Sequence, residues 1–386
     1  MNNLGSILEK AQIQPSVRAE RECITGGPTT AALCELAAAG LVRMFDPEKQ
    51  IFCETYLRTE NGMKREGVSH RYTMMTLLGL ARYERFGHRS PIAIAPVFDA
   101  LVHDITWINT AGDLGLLIWS CAELSPERLP ELYKRIDARG ALARFGDGRR
   151  GSTFELAWYL TGLASCYLAG HSDLPGLSEQ TAATRGILEA NCGPSGVYGH
   201  LSRGSSWAGR FRGRIGSFAD QVYPTIAFAR LSQALQDSKA RQLALRTASR
   251  MCELQGSKGE WSWHYDSVTG RVFSRYPVFS VHQHAMGPMM LFAASEATGR
   301  DFSDAIYKGL AWINNNELGQ DFIEPSLGLV WRCIYLDRWD ASTDAALRFI
   351  QLRKGFISAD RLNVRYECRP YELGWLLYAF GDKCFR

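Results

Sequence analysis

Six stretches of this chain share one layout: a head of polar, chemically able residues followed by a long apolar run at helical spacing. They are 67–84 (GVSHRYTMMTLLGLARYE), 111–124 (AGDLGLLIWSCAEL), 152–170 (STFELAWYLTGLASCYLAG), 217–235 (SFADQVYPTIAFARLSQAL), 279–297 (FSVHQHAMGPMMLFAASEA) and 366–381 (YECRPYELGWLLYAFG). A helix as apolar all round as LGLLIWSCAEL has to be buried on both sides. If the six line one pore, their N-termini meet in a pocket rich in His, Asp, Glu and Arg.

Between them lie helix-periodic segments with ordinary surface charge, at 91–105, 125–145, 178–192, 238–255 and 303–318. Caps and first-turn signals such as Ser125-Pro126-Glu127 and Ser303-Asp304 mark their starts. The alternation reads as a succession of helical hairpins, spaced roughly 40 to 70 residues apart without a strict sequence repeat. An open solenoid would leave the very apolar set half exposed, whereas a closed double ring hides it behind the other set. The expectation is therefore an all-α, single-domain (α/α)6 toroid or barrel over 1–386, its first hairpin including 27–44, with 1–25 as an N-terminal extension.

Two irregular stretches, 193–216 and 256–278, are rich in Gly, aromatic and basic residues and each precedes a polar-headed segment, so both belong on the rim. The second, with WSWHY and RVFSRY flanking Asp-Ser-Val-Thr-Gly, predicts a short β-hairpin.

Composition removes several function classes. The net charge of +4, from 44 basic and 40 acidic residues, is too balanced for general nucleic-acid binding. No run of about 18 apolar residues predicts a membrane span, and the N-terminus lacks the features of a secretory signal. The 10 cysteines are scattered without CxxC, which predicts reduced core residues and a cytoplasmic protein. Neither GxGxxG, GxxxxGK[ST] nor GxSxG occurs, so neither nucleotide hydrolysis nor serine-esterase chemistry is expected, and no cofactor is assigned.

Gln255-Gly-Ser-Lys-Gly259-Glu-Trp261 matches QxxxGxW, and Asn191, Gly196 and Tyr198 echo it one hairpin earlier. The motif resembles the repeat of squalene and hopene cyclases, where it ties the end of an outer helix to the next turn. The resemblance implies a toroid, and not a reaction: DxDD and DDxxD are both absent, as is the Asp-x-Cys zinc element of protein prenyltransferases. The chain is also similar in length and layout to (α/α)6 glycan-active enzymes (hydrolases, uronate lyases and sugar epimerases), although the His-Pro-Gly-His signature of the 2-epimerases is missing. That second resemblance implies a polar pocket at the inner-helix N-termini with aromatic platforms for sugar rings.

The candidate catalytic residues are His282, His284, Asp220, Asp113, Glu155, Tyr72 and His70. Imidazoles exchange protons near neutral pH, and paired carboxylates serve glycoside hydrolysis. Each carboxylate has an equally good reading as the cap of its own helix. Substrate contacts are assigned to Arg71, Trp261, Trp263, His264, Tyr265, Arg210, Arg212, Arg369, Glu372 and Tyr223, where aromatic faces stack on pyranose rings and guanidinium forks take a carboxylate or phosphate. His282 and His284 share a metal only on an extended backbone, because helical residues two apart diverge by ~200°, and no metal is assigned.

The function expected is an enzyme acting on an anionic carbohydrate, such as a uronate-containing oligosaccharide, by acid/base chemistry of lyase, epimerase or hydrolase type. The alternatives are a terpenoid-cyclase-like enzyme using Asp113 or Asp220 as its acid on a prenyl substrate, and a non-catalytic binding module. The partner expected is a small-molecule or glycan substrate, with no nucleic acid.

Overall fold

The computed structural model describes residues 29–145, 151–201, 213–336 and 361–383. Six inner helices close a ring: α2 (His70–Arg85), α4 (Ala111–Leu124), α7 (Thr153–Leu168), α9 (Ala219–Leu235), α11 (Gly287–Thr298) and α13 (Pro370–Phe380). Each packs on the next, and α13 returns to α2. These are the six polar-headed segments; five begin within about four residues of the sequence pattern, while α11 starts at Gly287, eight residues into 279–297, after a π-helical turn.

The outer set is α1 (Thr30–Met44), α3 (Ile94–His103), α5 (Leu129–Ala138), α8 (Leu177–Asn191), α10 (Ser238–Glu253) and α12 (Ser303–Ala311), with a short α6 (Ala141–Phe145) after α5. Inner and outer helices alternate along the chain, which is the (α/α)6 toroid. The composition difference is borne out physically: α4 is buried without a break from Ala111 to Cys121, whereas α10 buries only one stripe through Ala240, Ala244, Thr247, Ala248 and Met251.

Glycine sets how tightly the inner ring closes. A Cβ on Gly115 of α4 would stand 2.3 Å from the backbone of Tyr159 in α7, and one on Gly79 of α2 would stand 2.0 Å from the Gly374 carbonyl oxygen in α13. Both distances are impossible for a real side chain, so these helix pairs pack backbone to backbone.

The expected rim hairpin is present as β6 (His264–Asp266) against β7 (Arg271–Ser274), extended by β5 (Ile215–Ser217). The sequence reading did not anticipate two further three-stranded sheets. One joins β3 (Thr55–Thr59), β4 (Gly62–Glu66) and β13 (Glu367–Cys368); the other joins β8 (Val278–Phe279), β11 (Cys333–Leu336) and β12 (Leu362–Arg365). The ladders β1 (Phe45–Asp46) with β2 (Ile51–Phe52), and β9 (Ile323–Glu324) with β10 (Leu329–Val330), are two residues a side.

The QxxxGxW residues form a structural tie. Gln255 Nε2 donates to the Gly259 carbonyl at 3.0 Å and to Ala305 in α12 at 2.9 Å. Gly259 has φ +97° with the Lys308 carbonyl against its missing Cβ, and Trp261 is fully buried with its indole N–H on Met251 of α10. Among the described residues no helix is long and apolar enough to cross a membrane.

Candidate functional site at the inner-helix N-termini

Four of the six inner helices carry, three positions after a Ser, Thr or Arg at their start, a carboxylate that reaches back toward that start. In α4, Thr110 Oγ1 accepts from Asp113 N while Asp113 Oδ2 accepts from Thr110 N at 3.1 Å. In α7, Glu155 Oε2 accepts from both the N–H and the hydroxyl of Ser152 at 3.1 Å. In α9, Asp220 Oδ2 accepts from Ser217 N at 2.7 Å, and in α13, Glu372 Oε2 accepts from Arg369 N at 3.3 Å. Each satisfies donors that a helix start leaves unpaired, with negative charge at the positive end of the helix dipole. Capping thus accounts for much of what Asp113, Glu155, Asp220 and Glu372 do.

The heads are also stitched to one another. Arg71, on α2, reaches Asp113 of α4 at 2.9 Å and Glu155 of α7 at 3.5 Å. Asp220 Oδ1 accepts from Phe154 N in α7, and its Oδ2 faces His200 Nδ1 at 3.0 Å. Arg332 pairs with Glu372 of α13 and, at 3.0 Å, with Glu367; its carbonyl accepts from Ser280, ahead of α11. Arg369 closes the circle by donating to the Tyr72 hydroxyl of α2 at 2.8 Å.

Inside this ring is a cavity of about 290 Å³, at the small end of ligand pockets. Of the residues assigned from sequence, Arg71, Tyr72, Tyr223, Trp263 and His282 line it. Sequence reasoning missed Arg332, Tyr371 and the aromatic walls Phe154, Trp158 and Phe279, which line it as well. Phe154 and Trp158 lay in plain view on the polar-headed segment of Glu155, four residues apart and hence on one helix face. Arg332 had no such signal, because it arrives from the short connection between β10 and β11, which the helical pattern does not describe.

The other assigned residues stand behind the lining. Asp113, Glu155, Arg369 and Glu372 hold the residues that face the cavity, as above. His70 stacks on Trp107 with ring centroids 5.2 Å apart, and His264 stacks on Trp263 while bonding Ser274. Trp261, Tyr265 and His284 are fully buried and none belongs to the lining, so the structure gives them no face toward a ligand. Arg210 and Arg212 lie outside the described residues.

His282 and His284 fall in a π-helical turn, His282–Met286, that leads into α11. Burial, with Arg332 adding repulsion, pushes the His282 imidazole down to about 3, and burial pushes His284 down to about 4. Both rings are therefore neutral at physiological pH, and His282 meets the cavity as a proton acceptor. Among the described residues, no three His, Cys, Asp or Glu side chains gather as metal ligands would.

The cavity has a solid floor. The Trp375 indole N–H donates to the Tyr223 hydroxyl at 3.0 Å, and Trp375 stacks on Trp119 with centroids 5.6 Å apart. Both tryptophans are fully buried.

Compared as a sequence, the chain matches no protein-family model and no curated protein. Compared as a structure, it is similar along nearly its whole length to several solved enzymes. A possible member of the GH105 family from Salmonella enterica serovar Paratyphi A superposes with a TM-score of 0.60 at 12% identity, over 92% of this chain and 93% of that one. Cellobiose 2-epimerase from Bacillus thermoamylovorans gives 0.59 at 10% identity, over 89% and 95%. Unsaturated glucuronyl hydrolase from Bacillus sp. GL1 gives 0.55 at 12% identity, over 90% and 93%. The chain thus has the six-hairpin toroid fold of glycan-active enzymes, to which it is distantly similar.

Proposed function

We propose that this protein is an enzyme that acts on a uronate-containing sugar by acid/base chemistry in the cavity at the inner-helix N-termini. The observation that carries the reading is the composition of that cavity: two guanidiniums, three tyrosines and a neutral imidazole between aromatic walls. Aromatic faces stack on the apolar faces of pyranose rings, whereas a hydrocarbon substrate would leave Arg71 and Arg332 desolvated without gain. This favours a sugar over the prenyl alternative.

Charge supports an anionic substrate. Arg71, Arg332 and Arg369 stand against Asp113, Glu155, Asp220, Glu367 and Glu372. Each of the six helix heads adds about half a positive charge, which leaves the mouth with roughly one net positive charge. A substrate carboxylate placed between Arg71 and Arg332 matches it.

In this reading the guanidiniums stabilise the negative charge that builds on the carboxylate when the neighbouring C5 proton leaves. Tyr72 in its phenolate form, or the neutral His282 imidazole, takes that proton. Expulsion of the C4 oxygen with its bonding pair then gives an unsaturated uronate and a protonated leaving group, while return of a proton to the opposite face gives the C5 epimer. Hydrolysis is the second reading, favoured by the shared contact of Asp113 and Glu155 with one Arg71 nitrogen, which keeps the two carboxylates close together.

The test is incubation with uronate oligosaccharides, followed by ultraviolet absorbance of unsaturated ends, by mass, and by deuterium uptake at C5 in heavy water. Elimination or exchange that Tyr72→Phe abolishes and Glu155→Gln spares supports the proton-abstraction route, whereas cleavage seen by mass without unsaturated ends or exchange, and lost with Glu155→Gln, assigns hydrolysis. An unchanged substrate by all three readouts removes the proposal.

A further inference from the structure

Tyr223, near the head of α9, has a hydroxyl whose hydrogen-bonding role is fixed by its neighbours. The Trp375 indole N–H donates to its oxygen at 3.0 Å. The Trp158 ring meets the Tyr223 ring edge to face with centroids 4.9 Å apart. The Trp158 N–H, buried without a hydrogen-bond partner among the described residues, pulls on the same oxygen in the same sense as Trp375. Indole N–H groups donate and cannot accept. The Tyr223 oxygen is therefore committed as an acceptor, and its own proton has to go elsewhere. Among the described residues no protein group accepts that proton. Tyr223 is only 3% exposed and lines the cavity, and a buried donor left unmade costs as much as a lost hydrogen bond. Its acceptor has to come from what enters the cavity.

The surroundings say which acceptor. Arg71, which also lines the cavity, lies 5.3 Å over the Trp158 ring, and its positive charge acts on Tyr223. Burial raises the Tyr223 hydroxyl above the ordinary tyrosine value, against the pull of both indoles and of Arg71. It therefore stays protonated at physiological pH and remains a donor. Tyr223, Trp158 and Arg71 together present donors, which a carboxylate oxygen matches because it only accepts. A sugar hydroxyl brings a proton of its own that these three cannot take.

We propose that the Tyr223 hydroxyl donates to one oxygen of the substrate carboxylate and is a catalytic residue of the proton abstraction. The inference rests on the uronate reading above and adds the group that reads the carboxylate from the cavity floor. When the C5–H bond breaks, the proton goes to the base and the bonding pair forms the C5–C6 double bond, so that the carbonyl π pair of the carboxylate moves onto oxygen. The hydrogen bond from Tyr223 then meets a doubly charged group and strengthens, while Tyr223 keeps its own proton.

The probes are tri-galacturonate and a glucuronate trisaccharide, each also with its carboxylates reduced to hydroxymethyl groups, titrated calorimetrically into the full-length protein. Wild type is expected to prefer a carboxylate form over its reduced form by about 10²-fold, the joint effect of Tyr223 and the guanidiniums. Tyr223→Phe is expected to cut that preference about tenfold with the reduced form bound as before, and to lower C5 deuterium exchange at saturation by about 10²-fold. Trp375→Phe alters the same floor but leaves the Tyr223 proton in place, and should keep the preference within about threefold. The Tyr223→Phe/Trp375→Phe double variant, which leaves no Trp375 N–H orphaned, should behave as Tyr223→Phe does. A preference that survives Tyr223→Phe, or that Trp375→Phe removes equally, overturns the inference. A preference lost with Tyr223→Phe in a protein that exchanges no C5 proton removes the proton-abstraction reading and keeps Tyr223 as the carboxylate donor, and binding of neither trisaccharide overturns both.

Discussion

The two mouths of the barrel solve the same electrostatic problem with opposite signs. Where the inner helices start, carboxylates meet the exposed N–H groups: Asp113, Glu155, Asp220 and Glu372 each bond the start of their own helix. Where the helices end, arginines meet the carbonyl ends, and Arg85 donates directly to the Glu123 carbonyl of α4 at 3.1 Å. The difference lies in how the load is shared. At the first mouth it is spread over separate caps, while at the second the single guanidinium of Arg230 joins α9 to α7, α4 and α13. Distributed caps leave side chains such as Tyr72 and His282 free for chemistry.

The partition between the mouths is the place to break this comparison most severely. Trp375→Ala removes a fully buried indole stacked on Trp119 and bonded to Tyr223, and is expected to cost about 3–5 kcal/mol. Denaturant unfolding measures the loss. A cost below about 1 kcal/mol would mean that the floor is not packed as described.

The next test sets a shared load against a distributed one. Glu123→Gln leaves Arg230 buried beside Tyr378 without its counter-charge and should cost about 3 kcal/mol. Glu155→Gln keeps a side chain able to close the capping box and should cost less than about 1 kcal/mol. Equal losses in paired unfolding curves would show that the two mouths are built alike after all.

Acid should attack the first mouth selectively, because His282 and His284 are buried there as neutral rings. Their folded values, about 3 and about 4, lie below the unfolded value near 6.5. The unfolded chain therefore takes up protons first. Stability is complete above about pH 6.5 and falls as the pH drops toward 4, by roughly 1 kcal/mol per pH unit for each ring. His284→Gln should flatten that slope between pH 6.5 and 5, and an unaltered slope would exonerate this ring.

How much of this was legible depends on which physical signal a residue leaves in the chain. The inner and outer helices were legible because burial on all sides and burial on one stripe write different patterns, as α4 and α10 show. The dual reading of Asp113, Glu155 and Asp220 was legible too, since Ser or Thr followed three residues later by an acid is itself a capping signature. The rim sheets were not. Their strands are mostly two to five residues long, too short for alternation to register, although Asn61-Gly62 between TYLRT and MKRE was an available turn signal. Arg332 was hidden for the same reason, because its strand neighbourhood brings it to the cavity from far along the chain. Trp261 and Tyr265 misled in the other direction: their aromatic run suggests a platform, but the QxxxGxW tie buries Trp261 as packing.

The smallest structural effect belongs to the most informative position. Four inner helices place a carboxylate three residues after their start, and α11 follows Ser280 with Gln283, which bonds the Trp261 backbone. Only α2 breaks the rule among the six: Ser69 accepts from Tyr72 N, but the Tyr72 side chain turns into the cavity and takes a hydrogen bond from Arg369. A residue released from capping is free for other work. Tyr72→Phe keeps the Ser69 cap and the ring contact with Tyr371, losing one partly exposed hydrogen bond, so it should cost about 0.5–1 kcal/mol. Turnover of a uronate substrate should nonetheless fall by about 10²-fold or more with KM little changed, as expected when a general base is removed. If kcat survives while KM rises, Tyr72 only positions the sugar, and His282 becomes the base to test next.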